Sequence, residues 1–274
     1  MFGRIRLVAA LGFVTVTTLT LLPVQLVAIA TSLLNERRVP RLWHSLNVRA
    51  LGFRVYQKGR LTEKRPLIIA ANHVSWTDIP VISSRCEVSF IAKSEMARWP
   101  LIGFLARLQR TIFVERERRR ASGEQAGEIA RRLAEDAAIV LFAEGTTGDG
   151  NMVLPFKSTL FGAATKAITE GAVSKVYIQP LAIAYTRVQG LPMGRQHRHI
   201  ASWIGDAELA HHAAALLKEG AVDVELHFGE PIEFSAGDDR KAVTRRAESE
   251  VRAMLVEALA SPVPSGARKS EPKG

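Results

Sequence analysis

The chain has 274 residues, 47% hydrophobic and only 7% aromatic, so it is long enough for one large α/β domain or two small ones, with a mainly aliphatic core. Its 37 Lys and Arg exceed its 27 Asp and Glu by 10, which points to an anionic partner, either nucleic acid or an acidic membrane surface. The single cysteine, Cys86, excludes an internal disulfide framework and fits a reducing compartment.

No charged residue lies between Arg6 and Glu36. A membrane helix needs roughly 20 apolar residues, so the length suffices. Pro23 sits in the middle of the stretch and is expected to kink or break a helix. Arg4 and Arg6 flank one end and Arg37, Arg38 and Arg41 the other, so the orientation rule gives no decision. That symmetry suits a segment that dips into one leaflet and returns. Ala28-Ile29-Ala30 reads like a signal-peptide cleavage site, but the apolar stretch before it is longer than an ordinary signal core. A buried core helix is the other alternative; membrane attachment accounts best for the charge-free length.

Residues 40–51 have apolar positions at helical spacing with Arg and His on the opposite face, as in an interfacial helix. Phe53 and Val55 then alternate with polar residues like a strand. Leu67 to Asn72 is a continuous run, as in a strand covered on both faces. Segments 88–92, 111–115, 138–143 and 176–184 are likewise strand-like. In 222–228 Val222, Val224, Leu226 and Phe228 alternate with Asp223, Glu225 and His227, which predicts a half-exposed strand near one edge. Helical spacing occupies 101–108 (after Pro100), 122–135, 159–169, 207–218 and 240–259. The alternation predicts an α/β fold with a mixed, largely parallel sheet flanked by helices. Domain organisation follows: N-terminal membrane-attachment helices over 1–50, one catalytic domain over 51–260, and a disordered tail from Ser261 rich in Pro, Ser, Gly and Lys.

The chemistry concentrates at strand exits. Asn72-His73-Val-Ser-Trp-Thr-Asp78 follows the run 67–71. A neutral imidazole accepts a proton near neutral pH, and a carboxylate on its other nitrogen fixes tautomer and orientation. His73 and Asp78 do not share a helix face, but they meet if His73 lies in a loop and Asp78 in the first helical turn. Ser75-Trp-Thr-Asp78 has capping-box spacing, so Asp78 also reads simply as a helix-capping residue. No Gly-x-Ser-x-Gly elbow occurs, so a dyad here would activate a nucleophile brought by a substrate. Arg116 closes the strand 111–115 and suits a bidentate grip on phosphate or carboxylate, with Arg118 to Arg120 reading as a solvated charged face. Lys93, after 88–92, is a second anion-binding candidate; its bland alternative is a surface lysine. Glu144-Gly145-Thr146 follows the strand 138–143, and Gly145 permits a turn and close approach by a ligand. The bland reading there is a β-turn. His197/His199 and His211/His212 lack the accompanying carboxylates or cysteines of a metal site.

Taken together, these segments resemble the glycerolipid acyltransferase family that includes 1-acylglycerol-3-phosphate acyltransferases. The family's Asn-His-x4-Asp is matched by Asn72, His73 and Asp78. Its second motif is matched by Phe113 and Arg116, with Arg110 where a glycine often stands. The Phe-Pro-Glu-Gly-Thr-Arg motif is matched by Phe142, Glu144, Gly145 and Thr146, and its fourth by Pro180 in Ile-Gln-Pro-Leu. Ala143 replaces a proline, and Thr147 replaces the arginine that in the family helps grip the acceptor phosphate. The chain resembles one branch more closely, the bacterial lyso-ornithine lipid O-acyltransferases, in 142–151, 157–164 and 184–195. The resemblance implies that His73 and Asp78 are catalytic, and that Arg116, Lys93, Glu144, Gly145 and Thr146 bind the acceptor. It implies acyl-carrier protein or acyl-CoA as donor, a lysolipid acceptor, no acyl-enzyme, no cofactor, no metal and no nucleic acid. It places the catalytic domain at the cytoplasmic face of the cell inner membrane.

Overall fold

The computed structural model describes residues 2–31, 35–114, 121–135, 137–205 and 208–262. The tail from 263, and Glu115 to Arg120 with the candidate Arg116, lie outside the described residues.

The apolar N-terminus forms one long helix, α1 (Phe2–Thr31), which runs on through Pro23. The expected break is therefore not made. Residues 5–31 have a mean hydropathy of 2.1, enough in length and composition for a membrane span. The second helix, α2 (Arg38–Ala50), returns antiparallel to α1. Trp43 Nε1 donates to Thr18 Oγ1 (2.9 Å), and Thr17 Oγ1 donates to Asn47 Oδ1 (3.0 Å). Each pair places a polar group of α1 on a polar group of α2, so the hairpin does not rest on apolar contact alone.

The remaining elements alternate as the pattern predicts: β1 (Phe53–Lys58), β2 (Leu67–Ala71), α3 (Asp78–Ser83), β3 (Ser89–Lys93), α4 (Pro100–Leu108), β4 (Ile112–Val114), α5 (Ala121–Ala134) and β5 (Ala138–Phe142). Next come α6 (Gly162–Thr169), β6 (Lys175–Val188), β7 (Leu191–Pro192), α7 (Leu209–Glu219), β8 (Val222–Phe228), β9 (Ile232–Ser235) and α8 (Arg240–Ala260). Short 3₁₀ turns cover Ser94–Arg98, Ser158–Phe161 and Arg198–Ile200.

The strands form one mixed sheet in the order β1-β8-β6-β2-β5-β3-β4, with β7 and β9 pairing β6. β2 runs parallel to both β5 and β6, and β3 to β5 and β4. β6 is antiparallel to β8 and β9. Side chains alternate across the sheet. Ile68 and Ala70 face a core closed by α5, α6 and α8, whereas Leu67, Ile69 and Ala71 face one closed by α2, α3 and α7. Burial on both faces is what makes β2 and β5 read as unbroken apolar runs.

β8 departs from expectation. All seven of its residues are buried, including the polar ones, because β1 pairs its outer edge and α8 packs against it. Asp223 is held by Arg54 Nε at 2.6 Å, and Glu225 Oε2 lies 2.9 Å from His227 Nε2. Alternation of polar and apolar residues here marks paired charges under cover instead of a wet face.

Candidate active site

The site is set by strand register. Ala71 at the end of β2 stands opposite Phe142 at the end of β5 and Leu181 in β6. Each neighbouring chain continues two residues past that level, so His73, Glu144 and Ile183 converge at one edge of the sheet. Carboxyl ends of parallel strands are where α/β sheets bind ligands.

Asn72 extends the β2–β6 ladder with its side chain. Its Nδ2 donates to Ile183 O (3.0 Å) and its Oδ1 accepts from Ile183 N (2.8 Å). The next residue, His73, is thereby held at a fixed height. Its ring stacks on Phe142, with centroids 3.8 Å apart and planes 12° from parallel. His73 Nδ1 lies 2.7 Å from Asp78 Oδ2. The loop-and-first-turn arrangement inferred from spacing is the one found, since Asp78 opens α3.

Asp78 is fully buried, and its carboxylate is saturated with donors. Oδ2 also accepts from Val74 N (2.7 Å) and Ser75 N (3.0 Å), and Oδ1 accepts from Tyr185 OH (2.7 Å). Tyr185 OH meets Thr77 Oγ1 as well (2.5 Å). Burial and the neighbouring Asp78 push the Tyr185 phenol well above its ordinary range, so it stays a donor. The capping box is only half made, for Asp78 reaches back to Ser75 N while Ser75 Oγ has no partner among the described residues. A carboxylate with this many donors orients an imidazole and balances the charge that the ring gains on protonation. With Nδ1–H turned toward Asp78, the lone pair of Nε2 is left for a substrate. His73 is 18% exposed, enough for a hydroxyl to reach it.

Glu144 organises the same loop. Its Oε2 accepts from His73 N (2.8 Å) and its Oε1 from Leu154 N (2.7 Å). Burial, helped by Asp78 and Glu248, raises its pKa to about 7 against the pull of those two N–H bonds. Gly145 turns at φ +72, and Gly148 N donates to His73 O (2.7 Å), so the loop closes back on the histidine. Thr146 is exposed, and Thr147 is half-buried. Lys93 is exposed at the end of β3, and no described carboxylate pairs with it. The structure thus brings His73, Asp78 and Glu144 together, with Gly145 beside them, and places Lys93 two strands from the dyad, beyond β5. Sequence reading missed Tyr185 and the Asn72 side-chain ladder. Nothing in the strand sequence sets Tyr185 apart, since Tyr177 lies in the same strand.

Beside the dyad lies an apolar cavity of about 320 Å³, within the size range of small-molecule sites. Leu21 of α1, Trp43 of α2 and Ile102 of α4 line it, and Trp76 and Ile79 bring the His73–Asp78 loop to its wall. Phe90 joins it to the site, since its ring lies 6.2 Å from Phe142, which stacks on His73. One imidazole with an open nitrogen next to an oily cavity can deprotonate a hydroxyl beside an apolar substrate chain.

Comparison with known proteins gives consistent results. The Acyltransferase family model matches residues 52–184. A lyso-ornithine lipid O-acyltransferase of Brucella abortus (strain 2308) is 50% identical over 259 residues, 94% of this chain and 97% of that protein. One of the same name from Rhizobium meliloti (strain 1021) is 44% identical over 272 residues, 99% and 93% of the two chains. A 1-acyl-sn-glycerol-3-phosphate acyltransferase of Neisseria gonorrhoeae is 36% identical over 111 residues, 40% of this chain and 44% of that one. The crystal structure of the 1-acyl-sn-glycerophosphate acyltransferase PlsC from Thermotoga maritima superposes with a TM-score of 0.62 at 22% identity, covering 99% of this chain and 100% of that one. This last likeness speaks to the fold.

Proposed function

The chain belongs to the acyltransferase family, and we propose that it moves a fatty acyl group from acyl-carrier protein or acyl-CoA to the 3-hydroxyl of lyso-ornithine lipid. The observation that carries this acceptor is agreement along almost the whole chain with relatives of that name. Thr147 supports it: an acceptor with a carboxylate and an amine asks for one cation fewer than a phosphate.

His73 Nε2 takes the hydroxyl proton as the oxygen attacks the thioester carbonyl, because an aliphatic alcohol does not ionise beforehand. Asp78 holds Nδ1 and stabilises the imidazolium, with Tyr185 holding Asp78. Collapse of the tetrahedral adduct releases the thiolate, which recovers the proton from His73. Glu144 holds the histidine loop through backbone N–H groups, and the apolar cavity takes an acyl chain. Binding of the acceptor headgroup is assigned to Arg116, Lys93, Gly145 and Thr146. Residues 1–50 attach the enzyme to the inner membrane from the cytoplasmic side, and 51–260 form the catalytic body. Each buried methylene costs about 0.8 kcal/mol to bring into water, so catalysis at the bilayer avoids a large penalty. The basic surplus favours both anionic headgroups and an acidic carrier protein.

Purified protein given one donor and either lyso-ornithine lipid or lysophosphatidate tests the acceptor; faster turnover of lysophosphatidate would overturn it. That second acceptor is favoured only by the partial match to a glycerol-phosphate enzyme. His73→Ala should lower kcat about 100- to 10,000-fold with little change in thermal midpoint. Near-normal turnover in that variant would remove the proposed base.

A further inference from the structure

Lys157 leaves the loop that carries Glu144 and crosses back over it. Its root is fixed, because Lys157 N donates to Ala143 O (2.8 Å), and Phe156 N beside it donates to Glu248 Oε2 (2.9 Å). Its tip lies across the bare face of Gly145. A Cβ built on that glycine would stand 3.1 Å from Lys157 Nζ and 3.2 Å from Cδ, so a side chain there would displace the ammonium. The residue is exposed, and among the described residues no carboxylate is within ion-pair distance of it. Glu144 is raised by burial, Asp78 and Glu248, and among the described residues no cation offsets them. One loop turn beyond Gly145, Gly148 N bonds the carbonyl of His73, so this unspent cation borders the catalytic loop. On the same loop Thr147 offers a hydroxyl and no charge.

We propose that Lys157 is a specificity-determining residue whose ammonium holds the carboxylate of the acceptor headgroup, over a glycine that leaves it room. The assignment rests on lyso-ornithine lipid being the acceptor. A lysine gives a point charge with rotatable donors, which suits a carboxylate arriving on a flexible amino-acid headgroup. Neither Lys93 nor the family's missing arginine is needed for that contact.

The test uses full-length protein in mixed micelles with one acyl donor and two acceptors, lyso-ornithine lipid and an analogue whose carboxylate is replaced by a neutral carboxamide. Lys157→Gln should raise KM for lyso-ornithine lipid about 10-fold, the loss of one charge-assisted hydrogen bond. Its kcat should stay within about twofold of wild type, as expected when binding alone is removed. Lys157→Arg should recover most of the affinity. The carboxamide acceptor should raise KM for wild type to a similar degree, with Lys157→Gln adding nothing further. Equal losses on both acceptors, or an unchanged KM, would overturn the assignment and leave a structural or idle lysine. Failure of the wild-type enzyme to acylate lyso-ornithine lipid would overturn the acceptor itself, a separate outcome.

Discussion

His73 and Asp78 are placed by different means, and that difference decides what a substitution does. His73 is held by its backbone and by a stacked ring, so its imidazole can be removed at small structural cost. Asp78 is buried under four donors, and every one of them loses a partner if it goes. Tyr185→Phe removes one of these bonds together with the contact to Thr77 Oγ1. It should destabilise the protein by about 1–2 kcal/mol and lower kcat without shifting acceptor KM, read by denaturant unfolding alongside steady-state rates. Glu144 gives a pH signature. Its folded pKa of about 7 lies above the 4.5 of an ordinary glutamate. Between those values the folded state keeps a proton that the unfolded state has released, so stability falls as pH rises through that window. The loss is of order 3 kcal/mol, at about 1.4 kcal/mol per unit. Glu144→Gln cannot titrate, so its stability relative to wild type should improve between about pH 4.5 and pH 8. Unfolding curves at several pH values check this, and a constant offset would refute it. The dyad was legible because both members fall in one short segment. Tyr185 was not, because its contact arises across a strand pairing that local spacing does not encode.

At the scale of elements, the register of β2 against β5 and β6 positions the site. The unbroken apolar runs gave these strands away, and Pro100 marked the start of α4. Two elements were misjudged for physical reasons. Pro23 lies within a helix whose remaining ladder is long enough to carry one missing donor. β8 hides paired charges, and a polar residue in a sequence does not announce its counter-ion. α4 closes the cavity, with His44 Nε2 3.0 Å from Gln109 Oε1 and Gln109 Nε2 donating to Ser83 Oγ (2.7 Å), a chain that ties α2 to α3 just past the end of α4. Ala106 lines that cavity. Ala106→Phe should fill part of it and shift donor preference toward shorter acyl chains, measured as kcat/KM across a chain-length series; an unchanged profile would place the acyl chain elsewhere.

At the scale of the molecule, an apolar helix and a basic surplus point the same way. Leu11, Val16 and Leu19 of α1 are exposed, and the net charge is +10. The protein should float with vesicles, and 1 M salt should not release it, because apolar insertion is insensitive to screening. Release by salt would make the attachment purely electrostatic. The pairing of β1 with β8 carries one further consequence. Arg54 and its partner Asp223 are 169 residues apart, while α1 and α2 come first in the chain. During synthesis the greasy hairpin emerges well before the strand that completes the sheet. Non-local pairings of this kind form late and slowly. On the attachment proposed above, the nascent chain would meet the bilayer as an unfinished protein, and the catalytic body would mature already tethered there.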